Sequence, residues 1–284
     1  MASMREIKRR RGSIQSTQQI TKAMKLVSTV KLQRARVRAE ESKAYFEYMY
    51  KTIHSMLARA RSIEHPYIQG NQSENIGIVT VTSNRGLAGG YNANIVRLVT
   101  GSGFEKEKVR LYTVGKKGAE ELERKGYGIV ADYSQIIEEP AYAEAKEISG
   151  RILSDYEAGK IGKIYVAYTE FKNTVNQIPK LIKLLPVDTE NFQTEEHSLI
   201  QMNFEPKEEE ALGLLIPKYV ASILYGAFVE AAASENGARM QAMDAATNNA
   251  EEIISNLELK YNRARQGAIT QELTEIIAGA EAIG

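Results

Sequence analysis

Residues 240–268 read MQAMDAATNNAEEIISNLELKYNRARQGA, and the apolar positions in this stretch decide the fold. Met240, Met243, Thr247, Ala250, Ile254, Leu257, Tyr261, Ala264 and Ala268 follow one another at alternating steps of three and four. That is unbroken heptad spacing, and it predicts a helix wound against a partner in a left-handed coiled coil. Upstream, Leu212, Leu215, Tyr219, Ile223 and Ala227 carry the helix back to about Lys207, with Pro217 expected to bend it.

The partner helix is expected at the other end of the chain. From Arg5 to about Ile63 there is no proline, and Gly12 alone interrupts the run. Ile20, Ala23, Val27 and Val30, then Phe46, Met49, Ile53, Met56, Ala60 and Ile63, recur at the same spacing, and Pro66 and Gly70 are expected to end the helix. Between the two runs the pattern changes. Ile76–Thr82, Val109–Val114, Ile129–Tyr133 and Ile164–Thr169 read as buried strands, separated by helical segments at Asn92–Thr100, Lys116–Lys125 and Ala141–Ala158. Such alternation predicts a mostly parallel sheet. Gln177–Val187, with two prolines, reads as an edge strand.

The expected fold class is therefore α/β: a long antiparallel coiled coil of the N- and C-terminal helices with an inserted Rossmann-like α/β domain. The boundaries are placed at 1–66, 67–206 and 207–284. At ~1.5 Å per residue the first helix spans about 90 Å and the second about 117 Å, so the C-terminal helix overhangs by some ~27 Å if both leave the domain at one level. The overhang contains Leu273, Ile276, Ile277, Ala278, Gly279, Ala280, Ala282 and Ile283, apolar on most sides. An outside sheath is expected to cover it.

Composition excludes several chemistries. The chain has no cysteine, so thiol nucleophiles, disulfides and iron–sulfur clusters are ruled out. His54, His65 and His197 share no ligand spacing, and neither a metal nor a cofactor is expected. The longest charge-free apolar stretch, Tyr219–Val229, falls short of the ~20 residues that span a bilayer, so no direct membrane insertion is expected. The opening MASMREIKRRR lacks the apolar core of a signal peptide, which points to a cytoplasmic protein in which Asn71-Gln72-Ser73 carries no glycan. A net charge of +1 conceals an asymmetry: residues 1–38 carry eleven Lys and Arg against the single acid Glu6. This end should seek an acidic partner.

The most enzyme-like feature is the loop Ser83-Asn84-Arg85-Gly86-Leu87-Ala88-Gly89-Gly90-Tyr91-Asn92, which leads from a strand into a helix. Such turns bind phosphate on backbone N–H groups, but this one matches neither the dinucleotide fingerprint nor the phosphate-binding loop ending in Gly-Lys-Ser/Thr. A tight turn packing helix on sheet is the plainer reading. Glu208, Glu209 and Glu210 complement a helix dipole as a solvated face, and no Ser, Thr or Asn of the second helix has a neighbouring base. The basic first helix also invites a nucleic-acid-organising coiled coil with a globular hinge. A zipper, however, pairs two chains in parallel, whereas here the partner lies in the same chain. Thr17, Gln18, Thr21, Ser28, Thr29, Ser234, Thr247, Asn248 and Asn249 make the hairpin unusually polar, which suits a shaft turning against its surroundings.

At both ends the residues resemble a known family. Ile20-Thr21-Lys22-Ala23-Met24-Lys25-Leu26-Val27 is similar to the N-terminal signature of the gamma subunit of rotary proton-driven ATP synthases. Ala233-Ser234-Glu235-Asn236-Gly237-Ala238-Arg239-Met240-Gln241-Ala242-Met243 and Tyr261-Asn262-Arg263-Ala264-Arg265-Gln266-Gly267-Ala268-Ile269-Thr270 resemble its C-terminal one, and Gly86-Leu87-Ala88-Gly89-Gly90 its loop in the α/β domain. The resemblance implies a non-catalytic central-stalk rotor. Its coiled coil would stand inside a hexamer of alpha and beta subunits, and its α/β domain beside the epsilon subunit and the ring of c subunits. It would sit peripherally on the cytoplasmic face of the bacterial membrane and bind no nucleic acid.

Carried over residue by residue, the resemblance puts Met24 at the acidic loops of the beta subunits and Arg239, Arg265 and Gln266 at contacts higher in the head. Ile276 and Ile277 fall in the apolar tip and Phe204 and Glu205 near the ring. Separately, the cluster Arg9-Arg10-Arg11 gives the expectation that Arg9 and Arg10 engage carboxylates of the catalytic subunits at certain rotor angles. Four positions depart from the family. Arg11 stands where an apolar residue is common, Gly237 and Gly267 stand where alanine is usual, and Ala88 stands where cysteine is frequent. Each helical glycine costs about 1 kcal/mol relative to alanine, so close packing or torsional compliance is the expected compensation.

Overall fold

The computed structural model describes residues 4–57, 65–187 and 208–283. Its internal contacts gather into two units: Met1–Ser28 with Met240–Gly284, and Thr29–Arg239. Helix α1 (Met4–Leu57) and helix α6 (Glu208–Ile283) contribute to both.

The second unit is built on a five-stranded sheet. Strand β1 (Ile76–Val81) lies in the middle with every residue buried, paired in parallel with β2 (Val109–Val114) and β4 (Lys163–Phe171). Strand β3 (Gly128–Asp132) pairs in parallel outside β2, and β5 (Gln177–Leu185) runs antiparallel outside β4. The order is β3-β2-β1-β4-β5. Side-chain alternation supplies two cores. Ile76 and Ile78 of β1 and Val109 and Leu111 of β2 face Ile95, Val96 and Val99 of α3 (Tyr91–Thr100) and Leu122 of α4 (Lys116–Arg124). Val79, Val81, Tyr112, Val114, Ile164 and Val166 face the other way, onto Ile148, Ile152 and Tyr156 of α5 (Tyr142–Glu157) and onto α6.

The elements fall close to the expected ranges, and β5 is an edge strand as expected, a place that tolerates its Pro179. Strand β3, expected to be buried, is the opposite edge of the sheet, its residues alternating exposed and half-buried. Two further expectations change. Pro66 opens a short helix, α2 (Pro66–Gln69), and His65 caps it by accepting from the Tyr67 N–H. In the upstream part of α6 the expected Leu212 and Ala227 are buried, but Leu215, Tyr219 and Ile223 are only half-buried, and Ile216, Val220, Leu224 and Phe228 are buried with Leu212. Steps of four lay a straight ridge along the sheet, and a heptad seam is not needed there. By length and apolar composition α6 could cross a membrane, but half of its most apolar window, of mean hydropathy 1.6, is buried against the chain's own residues.

In the first unit α1 and α6 pair antiparallel. As α1 advances its partners recede along α6: Arg11 Nη1 lies 3.6 Å from Glu258 Oε1, Thr21 Oγ1 2.8 Å from Thr247 Oγ1, and Lys25 Nζ donates to Asp244 Oδ1 at 2.6 Å. On α6, Met243, Ala250 and Leu257 are buried and Thr247, Ile254, Tyr261, Ala264 and Ala268 half-buried, which is the heptad read from the sequence. On α1 the seam differs from the expected one. Ile7, Arg11, Ile14, Gln18, Thr21, Lys25 and Ser28 turn inward, while Ile20 is 61% exposed and Val27 57%. Val30, in the second unit, is likewise exposed. The most apolar heptad series of α1 thus faces away from α6. The inward series closes on paired hydroxyls and ion pairs, which fix register at some cost in stability. Thr21 and Ser28 are therefore seam residues, facing the heptad of α6 that already includes Thr247.

The side chains of Phe46, Met49, Ile53 and Met56, and the whole of Ala60, Ile63, Phe204 and Glu205, lie outside the described residues.

Candidate functional site

In an open α/β sheet the ligand crevice forms where strand order reverses, above the carboxyl ends of the flanking strands. Here that point lies between β1 and β4, and the loop Ser83–Gly90 rises from it. Local hydrogen bonds set the loop's shape. Asn92 Oδ1 accepts from the Ser83 N–H at 2.9 Å, and Ser83 Oγ donates to the Arg85 carbonyl at 2.6 Å. Asn84 bridges outward, its Nδ2 donating to the Ser134 carbonyl and its Oδ1 accepting from the Lys116 N–H. At the tip, Leu87 holds φ 63° and is 61% exposed.

The crevice is filled by α6. Ser234 Oγ donates to the Thr169 carbonyl at 3.0 Å, and the Tyr91 hydroxyl donates to the Ala231 carbonyl at 3.3 Å. Arg239 reaches the Arg85 and Gly86 carbonyls at 3.4 Å and pairs with Glu235 at 2.8 Å. Only 11% and 13% of those two side chains is exposed. Burial raises the Glu235 carboxyl above its usual range, against the opposing pull of the Arg239 guanidinium. Ala231, Ala232, Ala233 and Ser234 let the helix come close. A Cβ at Gly237 would sit 3.2 Å from Gln177 Nε2 and 3.4 Å from Phe171, so close packing accounts for that glycine. The glycine-rich loop packs helix against sheet, but the helix it seats is the distant α6 as well as its own neighbour α3. A Cβ at Gly267 meets open space, and nothing in the structure explains that residue.

The sequence-derived contact residues fall into three groups. Arg9, Arg10, Arg265 and Gln266 are exposed, as are Ile276 at 68% and Ile277 at 59%. Met24 is half-buried, and Arg239 is engaged inside its own unit. Arg11 separates from Arg9 and Arg10: it enters the seam toward Glu258, which accounts for its departure from an apolar residue as a seam ion pair. Continued at the register of the three pairs, Met4 comes opposite about Arg265. Beyond that point Ile269, Leu273, Ile276 and Ile277 stand exposed, without a facing residue from the described part of α1. Ile20 and Val27, which the heptad pattern puts at the seam, stand exposed on α1 with Leu26, so the apolar series forms an outward stripe.

A family model described as ATP synthase matches residues 3–283. The ATP synthase gamma chain of Lachnoclostridium phytofermentans is 59% identical over the full length of both chains, and that of Alkaliphilus metalliredigens is 40% identical over 99% of this chain and 98% of its own. A sodium-ion-specific ATP synthase gamma chain of Acetobacterium woodii is 39% identical over 99% of each. Among solved structures, the central stalk and c-ring of the Tetrahymena thermophila mitochondrial ATP synthase contains a chain that superposes with a TM-score of 0.63 at 25% identity. It covers 80% of this chain and 99% of its own. A chain of the Euglena gracilis mitochondrial assembly superposes with a TM-score of 0.71 over 99% of this chain and 94% of its own, and at 18% identity shows the fold alone. The nucleic-acid-organising alternative finds no support among these relatives. With a match across its whole length and near-complete coverage of its relatives, the chain belongs to the ATP synthase gamma chain family.

Proposed function

We propose that the chain is the central-stalk rotor of an ion-translocating ATP synthase, turning with the membrane c-ring and driving the catalytic sites of an alpha/beta head through their conformational cycle. It is a non-catalytic subunit. The observation that carries the reading is the end of α6, where Ile269, Leu273, Ile276 and Ile277 are exposed past the last α1 pair. An apolar surface of this kind needs a bearing supplied by other chains. Proton coupling is proposed by family likeness; a sodium-specific relative at 39% identity shows that this protein family serves both ions. The proposed division is a shaft of residues 1–66 and 207–284 and a base of residues 67–206, placed peripherally on the cytoplasmic face of the membrane beside the epsilon subunit.

The contacts proposed with the head are Arg9, Arg10, Met24, Arg265 and Gln266, with Ile276 and Ile277 in the bearing; Phe204 and Glu205 are proposed to lie near the ring. Arg239 keeps a proposed part in head contact through the loop it holds, since its own guanidinium is engaged by Glu235. Mixing the purified chain with alpha and beta subunits should give a complex whose ATPase activity requires all three. If alpha and beta assemble and hydrolyse ATP equally well without it, the rotor reading fails.

Arg9 and Arg10, both exposed, are proposed to meet catalytic-subunit carboxylates at some rotor angles and to resist rotation in the hydrolysis direction. Exposed pairs contribute ~0–1 kcal/mol each, so Arg9→Gln with Arg10→Gln should raise steady-state hydrolysis by about thirtyfold at most. An unchanged rate in the assembled head would remove this role.

A further inference from the structure

Where α6 lies on the β4–β5 hairpin, two carboxylates meet one ammonium. Glu170 of β4 takes Lys180 Nζ of β5 on its Oε1 at 2.6 Å, and its Oε2 is buried without a partner among the described residues. Glu230 of α6 accepts from the Phe171 backbone N–H, and its Oε2 is likewise buried without a partner among the described residues. The groups facing Glu230 are Glu170 and Lys180, with the buried Tyr168 of β4 sensing both carboxylates. Lys180, 39% exposed, neutralises one negative charge, which leaves the second on Glu230. The Phe171 N–H holds Glu230 at the residue next to Glu170, whose charge it feels, and two unpartnered acceptors with one excess charge have a common remedy, a single added proton.

We propose that Glu170 and Glu230 share one proton in the folded chain, and that the grip of α6 on the β4–β5 hairpin weakens when this proton is lost. On acidification the Glu230 carboxylate takes a proton from solvent, and its O–H donates to the free Oε2 of Glu170. On alkalinisation the proton returns to solvent and two carboxylates face each other across the helix–sheet contact. The neighbouring Ser234 hydroxyl on Thr169 and the close approach of Gly237 to Phe171 are the first contacts to feel that repulsion. Burial, then the charge of Glu170, pushes Glu230 up to about 7. A folded-state value above the unfolded one means stabilisation that is complete below about 4.5 and lost as pH rises through about 7. The contact is thus set to loosen across the pH range in which cells live.

Carboxyl carbon NMR of the full chain with labelled glutamate tests this. The unmodified chain should show one glutamate titrating near 7; Glu230→Gln should abolish that signal, and Glu170→Gln, which removes the repulsion, should move it down by about one pH unit or more. Amide exchange at Thr169–Phe171, corrected for its intrinsic pH dependence, should speed up about tenfold between pH 6 and 8 in the unmodified chain and stay flat in Glu230→Gln. Three results would each overturn the proposal: no glutamate titrating above about pH 6, a signal that survives Glu230→Gln, or a midpoint unmoved by Glu170→Gln. Should Glu230→Gln fail to fold, the Glu170→Gln midpoint decides alone.

Discussion

Arg239→Met is expected to lower the unfolding free energy of the chain by about 3 kcal/mol or more, the loss seen when one member of a buried ion pair is removed. The reason lies in what stays behind. Glu235 is 13% exposed, already raised by burial, and would be left without its cation. The Arg85 and Gly86 carbonyls would lose the guanidinium that draws the loop onto α6. Replacing both partners, as in Arg239→Met with Glu235→Leu, removes the stranded charge and should recover most of the loss, because an apolar pair of similar volume is often as stable as a buried ion pair. Denaturant midpoints of the two single variants and the double variant give the coupling directly. If the double variant is as unstable as Arg239→Met, then the contacts to the loop carbonyls, and not the ion pair, dominate.

That pair also marks the limit of what the sequence can tell. Strands β1 and β2 were legible because runs such as Ile76–Val81 are apolar, short and bounded by turns, so burial on both faces writes itself into composition. The seam of α6 was legible for a similar reason: its inward positions are its apolar ones. On α1 the rule inverts. Thr21, Lys25 and Ser28 turn inward because Thr247 and Asp244 satisfy two of them, and a partner more than two hundred residues away is invisible to a local pattern. Ile20 and Val27 were then taken for the seam although they lie on the outer surface. The same holds for the crevice. Its loop could be read as a tight turn, but that α6 fills it follows from Ser234, Gly237 and Arg239 arriving together. The exposed contact residues Arg9 and Arg10 follow from the basic cluster and Ile276 and Ile277 from the unmatched helix end, and their exposure leaves them available to partners.

Gly115→Ala is expected to be as damaging as the loss of Arg239, by a different route. Gly115 holds φ 104°, a backbone state that side chains disfavour by about 1–3 kcal/mol. The added Cβ would also overlap the carbonyl of Thr82, which directly follows β1 and is held by its own hydrogen bonds. Thr82 is fully buried and ties three pieces together: its N–H donates to Val114 at 2.7 Å, its hydroxyl donates to the Gly115 carbonyl at 2.9 Å, and the same hydroxyl accepts from the Gly118 N–H at 3.0 Å. Displacing it shifts Ser83 and the loop on which Arg239 is held, so the α6 seat should fail along with the sheet edge. A total loss of more than about 3 kcal/mol follows from the strain and the broken contacts together. Gly118→Ala is the informative companion, because its Cβ would strike the Thr82 side chain and not the backbone. Thr82→Ala should therefore relieve Gly118→Ala in part and leave Gly115→Ala unimproved, as read from denaturant midpoints of the full chain. Equal relief of both would mean that the strain at Gly115 is not set by the Thr82 carbonyl, and that the end of β1 can yield.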